Sequence, residues 1–273
     1  KGPAPGQGAA AGSQPAATSA PAPISDSGPF ANAAVAAANT IDRKLIHDTV
    51  AEIASDAYQG RAPGSEGDVK ARAWLAAELQ KIGFAPGASD GTWEQPFDLV
   101  GINSAVPGTW DMDAGRKRVQ FKSGTDFIAA SGVQRDLAEL KDAEVVFVGY
   151  GIRAPEYQWD DYKGMDLRGK VLLMLNNDPD WDPTLFEGVR RLYYGRWTYK
   201  YEEAARQGAA GAIIIHTDPS AGYPWQVVQS SFSGEQFELP AGGEPRVQVT
   251  AWLTEEAAGR LADAGRYLFR LSA

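Results

Sequence analysis

Two histidines and a run of spaced carboxylates mark where this chain could do chemistry. His216 closes the apolar run Ile213-Ile214-Ile215 and precedes Thr217-Asp218-Pro219, which sets an imidazole at a strand end beside a carboxylate, the pairing of a general base or a metal ligand. The sequence brings no second histidine or carboxylate cluster near it, so a hydrogen-bonded structural role is expected. His47 falls on a helix without a chemical neighbour. Asp178, Asp180 and Asp182 are spaced like the opening ligands of a calcium loop, but Pro183 stands where that loop needs its glycine and Val189 where it needs a bidentate glutamate. A calcium site there would need oxygens from elsewhere in the chain; otherwise the stretch is a solvated acidic turn.

Two glycine patterns invite stronger readings. Gly149-Tyr150-Gly151-Ile152-Arg153-Ala154 follows an apolar strand and matches the form of a dinucleotide fingerprint, yet Pro155, Gly164 and Gly169 interrupt the helix whose N-terminus would receive the pyrophosphate. A glycine turn leaving a buried strand is expected instead. Gly87-Ala88-Ser89-Asp90-Gly91 has the spacing of a nucleophile elbow, but Pro86 before it and Pro96 after it deny the strand and helix that would strain the serine. It is expected to be a surface loop.

The aromatic group Tyr193, Tyr194, Trp197, Tyr199 and Tyr201 has two uses. Tyr193, Trp197 and Tyr201 recur four residues apart, as the packed face of an amphipathic helix would. Rigid amphipathic rings also suit the wall of a substrate cleft, and Arg190, Arg191, Arg196 and Lys200 nearby could meet a peptide carboxylate.

These residues need elements to position them. Helical spacing runs through Ile41, Leu45, Ile46, Val50 and Ile53 within a helix expected over 31–57, with Thr40 as a candidate N-cap. Ser65-x-x-Asp68 starts a second helix that carries Ala71, Leu75, Leu79 and Ile82 to a stop at Gly83. From Trp93 the pattern changes to short β-type runs, at 95–100, 118–122, 144–148, 170–175, 212–216 and 246–252, with a helix at 197–207 closed by Gly208 and another starting at Thr254. The fold class expected is α+β. Residues 1–38 are dominated by Ala, Pro, Gly and Ser and are expected to form a disordered linker, since they bury too little to offset their ordering entropy.

Composition narrows the partners. The 273 residues carry a formal charge of −9, against the phosphate neutralisation that nucleic acids require, and no apolar run approaches the roughly 20 residues of a membrane helix. Zero cysteines exclude disulfides and thiolate metal sites.

Two stretches together carry a family resemblance. Ser55-Asp56-Ala57-Tyr58-Gln59-Gly60-Arg61-Ala62-Pro63-Gly64-Ser65, followed by a helix ending Leu79-Gln80-Lys81-Ile82-Gly83-Phe84, resembles the N-terminal start of the co-catalytic zinc aminopeptidases, a superfamily that takes in bacterial leucyl aminopeptidases, glutamate carboxypeptidase and the transferrin receptor. The second couples 145–152, Asp160-Asp161-Tyr162, Leu167-Arg168-Gly169-Lys170-Val171 and 207–215, and is similar to the protease-associated domain inserted in many of those enzymes.

The resemblance implies an order of domains: opening helices of a peptidase domain over 39–100, a protease-associated domain over 101–255, and a return towards the peptidase domain over 256–273. It also implies a secreted or periplasmic enzyme whose two zinc ions activate water and anchor the substrate amine. The family's metal motifs and catalytic glutamates lie beyond the inserted domain, and no position here matches them. No zinc ligand or catalytic residue is therefore assigned. What the resemblance leaves is a substrate-capping lid, with Tyr194, Arg196, Trp197 and Tyr199 as the residues expected to face the cleft, and a peptide substrate or the catalytic domain as partner. A stand-alone, non-catalytic peptide-binding module is the alternative.

Overall fold

A computed structural model describes residues 31–114, 117–264 and 269–272. The chain divides into two compact units, Lys1–Trp93 and Glu94–Ala273. It is an α+β protein, as its patterning implies.

The first unit holds three helices, α1 (Ala31–Ala38), α2 (Arg43–Ile53) and α3 (Glu66–Lys81). The linker expected over 1–38 lies outside the described residues up to Phe30, and its last stretch is α1. Helix α2 is capped by Asp42, whose carboxylate accepts the Lys44 N–H at 2.8 Å, whereas Thr40 turns its hydroxyl back to the Ala37 carbonyl at 2.7 Å. The helix expected over 31–57 is thus split in two because the stronger cap sits two residues later than Thr40. Ser65 does cap α3, accepting the Asp68 N–H at 3.2 Å. At the other end Gly83, at φ +92°, lets Phe84 N–H reach the Leu79 carbonyl at 3.1 Å, a Schellman closure. Leu45, Ile46 and Val50 of α2 are exposed.

The second unit is built on one mixed sheet. In chain order its elements are β1 (Val100–Asn103), β2 (Thr109–Ala114), β3 (Lys117–Lys122), β4 (Phe127–Ser131), β5 (Ala143–Phe147), β6 (Arg153–Ala154), β7 (Trp159–Asp160), β8 (Val171–Leu175), α4 (Trp197–Arg206), β9 (Gly211–His216), α5 (Asp218–Ala221), α6 (Trp225–Ser231), β10 (Glu235–Glu238), β11 (Val249–Thr254), α7 (Glu255–Ala264) and β12 (Phe269–Ser272). Eight strands lie in the order β3-β2-β12-β5-β8-β9-β11-β4, and β1-β10 and β6-β7 form separate pairs. Strands β5, β8, β9 and β11 are mutually parallel, and β4 and β12 flank them antiparallel.

Continuous apolar runs such as Gly211–His216, buried at every position, follow from having both sheet faces covered. On one face Val171, Leu173, Ile213, Ala251 and Leu253 pack with Trp110, Phe121, Phe127 and, from α7, Ala257 and Leu261. On the other, Leu172, Met174, Ala212, Ile214 and Trp252 pack with Ala204 and Ala205 of α4. Gly208, at φ +75°, closes α4 with Ala209 N–H on the Ala204 carbonyl at 3.0 Å. Thr254 caps α7, accepting the Ala257 N–H at 3.2 Å. The stretch 256–273, which the resemblance assigns to a return towards the peptidase domain, supplies α7 and β12 of this same unit, and β12 pairs with both β2 and β5.

Candidate functional site

In an open parallel sheet the carboxyl ends of the strands release backbone polar groups together on one side, which is where such folds place ligands. Here those ends lead into Gly149-Tyr150-Gly151 after β5, Asn176-Asn177-Asp178 after β8 and Thr217-Asp218 after β9. Four buried polar side chains lie near the same edge. Asn176 and Asp178 follow β8, His216 ends β9, and Lys200 of α4 donates to the Tyr150 carbonyl at 2.5 Å.

An aromatic layer covers this edge. Phe186, fully buried, stacks on Tyr157 at 4.5 Å between centroids and meets Trp159 and Tyr194 edge-on at 5.6 and 5.7 Å. Trp181 leans on Tyr150 at 5.6 Å and Trp159 at 6.2 Å while remaining 61% exposed, so a broad indole surface faces solvent. Tyr199 is buried against Tyr194 at 5.1 Å, and its hydroxyl accepts the Arg153 N–H at 3.1 Å. The Tyr194 hydroxyl donates to Glu156, and that carboxylate pushes the phenol up to about 12. Burial raises Tyr199 to about 12 as well. Both phenols therefore stay neutral and offer fixed surface, not acid-base chemistry, near pH 7.

The segment 178–192 that bears Trp181 and Phe186 is held at both ends. Asp178, 1% exposed and raised above the usual carboxylate range by burial, accepts the Leu192 N–H at 2.9 Å. Phe186 and Glu187 both take positive φ, at +46° and +61°, strain that is tolerated here because the Phe186 ring is locked in place.

The four cleft candidates separate. Tyr194 and Tyr199 join the layer. Trp197 starts α4 and packs the other way, against Phe232 at 5.4 Å and Tyr201 at 6.0 Å. Arg196 precedes α4, is exposed and forms no ion pair among the described residues. Tyr193 does not share the face of Trp197 and Tyr201, because it lies in a 3₁₀ turn before α4 and meets Tyr199 and Glu202.

Of the cations near these rings, Arg190 pairs with Glu187 at 3.1 Å, Arg191 holds Asn177 at 2.7 Å, and Lys200 is fully buried. Sequence reasoning missed Tyr150, Tyr157, Trp159, Trp181 and Phe186, which long-range packing brings to α4. The apolar strand β8 running into Asn176-Asn177-Asp178-Pro179-Asp180-Trp181 was the available signal.

The chemical candidates resolve as well. Gly149 and Gly151 take φ +60° and +62°, and β6 follows where a dinucleotide fold would begin a helix. The Gly87–Gly91 stretch is a turn closed by Ala88 N–H on the Thr92 carbonyl at 3.2 Å. His216, 3% exposed, sits 3.1 Å from the Tyr223 carbonyl through Nε2, and burial lowers its affinity for a proton. His47 is exposed beside Asp48. Asp178, Asp180 and Asp182 diverge: the first is buried on Leu192, the second is exposed, and the third holds the Thr184 N–H at 2.8 Å. Among the described residues no three His, Cys, Asp or Glu side chains converge to hold a metal ion. The described residues therefore do not fit the zinc pair that the resemblance implies. No helix among the described residues is long and apolar enough to cross a membrane.

No family model and no curated protein matches this chain. Among solved structures it is similar to an aminopeptidase from Aneurinibacillus sp. strain AM-1, with a TM-score of 0.38 and 19% identity over 81% of this chain and 43% of that one. It is also similar to a peptidase M28 precursor from Shewanella amazonensis SB2B, with a TM-score of 0.34 and 15% identity over 78% of this chain and 42% of that one. The chain thus spans less than half the length of either structure.

Proposed function

We propose that this chain is the substrate-capping part of a secreted zinc aminopeptidase, contributing binding surface while the two zinc ions and the hydrolytic residues belong to the rest of that enzyme. The observation that carries this reading is the aromatic layer itself, in which Phe186 is packed on Tyr157, Trp159 and Tyr194 while Trp181 stays 61% exposed, with Arg196, exposed and without an ion-pair partner among the described residues, two positions after Tyr194 in the chain. Such a layer offers a peptide apolar area at little entropic cost, because its rings are already immobilised. A free guanidinium adds a charge-assisted contact for a peptide carboxylate.

The test is calorimetric titration with the tripeptide Leu-Gly-Gly, together with an assay for released leucine in the presence of added zinc. Binding without hydrolysis is expected, and Arg196→Ala should weaken it about tenfold, the size of one charge-assisted contact of roughly 1.4 kcal/mol. Leucine release by the chain alone would contradict the accessory role. Binding unchanged in Arg196→Ala would remove that residue from the surface.

A further inference from the structure

Among the described residues Lys200 is the one fully buried amine, and its surroundings suit a neutral amine better than an ammonium. It is 0% exposed, donates to a single acceptor, the Tyr150 carbonyl at 2.5 Å, and forms no ion pair among the described residues. An ammonium has three N–H donors, and each one buried without an acceptor is costly. The Tyr150 and Tyr199 rings lie 5.8 and 5.9 Å from Nζ, at the outer edge of cation–π range, and return little of that cost.

The charged groups that face Lys200 come from each surrounding segment: Asp161 after β7, Asp178 after β8, and Arg191 before α4. The two carboxylates favour the ammonium and Arg191 opposes it, but burial outweighs them and draws the amine down to about 7. Asp178 also closes the segment 178–192 through Leu192, and that segment brings Trp181 onto Tyr150, the residue whose carbonyl Lys200 holds.

We propose that Lys200 is a proton-operated latch of the binding surface: the segment 178–192 closes over the neutral amine, and uptake of a proton by the amine releases it. This inference rests on the reading that the aromatic layer is the binding surface, and it names how that surface is regulated. The sign follows from linkage. In the closed form the amine titrates near 7, and where opening admits water it returns towards its ordinary value of 10.5. Between those limits the open form binds the proton more tightly, so opening becomes about tenfold easier for each unit the pH falls. Below about pH 7 both forms are protonated and the dependence flattens. Opening carries Trp181 off Tyr150, so ligands leave as the solution moves from alkaline to neutral.

The test needs no ligand, so it can fail or succeed whatever the peptide titration shows. Exchange of the Leu192 amide hydrogen, corrected for the intrinsic pH dependence of exchange, reports opening of the Asp178 contact. In the wild-type chain the opening constant should rise roughly tenfold or more between pH 9 and pH 7.5. Lys200→Met keeps the apolar stem, lacks the titrating group, and should abolish that rise. A wild-type opening constant constant within about twofold over this range, or a slope retained in Lys200→Met, overturns the latch. Should Lys200→Met fail to fold, the ¹³Cε shift of Lys200 in the wild-type chain decides: a titration midpoint near 7 supports the proposal, and one near 10.5 overturns it.

Discussion

At the scale of single residues, what sequence could announce was conformation, and what it could not was company. Ser65 and Thr254 cap helices, and Gly83 and Gly208 close them, because caps and left-handed glycines act within a few residues. Lys200 read as one more cation near the rings, since nothing local reveals that Tyr150 and Asp178 enclose it. Gly67 shows the same limit. A β-carbon there would stand 1.8 Å from the Tyr58 carbonyl oxygen, a contact only the tertiary structure displays. Gly67→Ala should therefore cost about 1–3 kcal/mol of stability in the first unit, and an unchanged urea midpoint would contradict the packing of α3 on the Tyr58 turn. His216 gives a pH prediction. Its imidazole is buried neutral, with a proton affinity below the ordinary 6.5, so its contribution to stability is present above pH 6.5 and is lost as pH falls through the lowered value. Replacing it by Asn should flatten that part of the acid side of the stability profile, and a profile of unchanged slope would show that the imidazole stays solvated.

Elements were legible where their pattern is local. The apolar runs at β5, β8 and β9 predict strands within a residue or so of where they lie, and the amphipathic stretch at α4 predicts that helix. The strand expected at 95–100 instead starts at Val100, and β2, β4, β10 and β12 went unread, because polar alternation or distant partners define them: β4 pairs with β11 more than a hundred residues on. The segment 178–192 has no regular structure, and its order depends on Phe186. Phe186→Ala removes a fully buried ring and should cost about 3–5 kcal/mol if the loss is global, or open this segment alone if it is local. Limited proteolysis distinguishes the two, and the account expects cleavage to begin within 178–192. Cleavage starting elsewhere in the second unit would mean that the ring anchors more than its own loop.

At the scale of the whole molecule, two facts bear on function together. The chain carries a formal charge of −9, yet Arg196, close to Tyr194 in the chain, is exposed and forms no ion pair among the described residues, so it offers a carboxylate-bearing ligand a local attraction. The described residues assemble no trio of His, Cys, Asp or Glu that could hold a metal ion. The α+β class was readable from the sequence; the site's location was not, because it arises where three parallel strands end side by side. The most direct measurement is amide shift mapping of the ¹⁵N-labelled chain during titration with Leu-Gly-Gly. The account expects shifts concentrated at residues 150–159 and 178–197, with the peptide left intact. Shifts confined to other parts of the chain, or conversion of the peptide to free leucine, would contradict a capping surface at the carboxyl ends of the parallel strands.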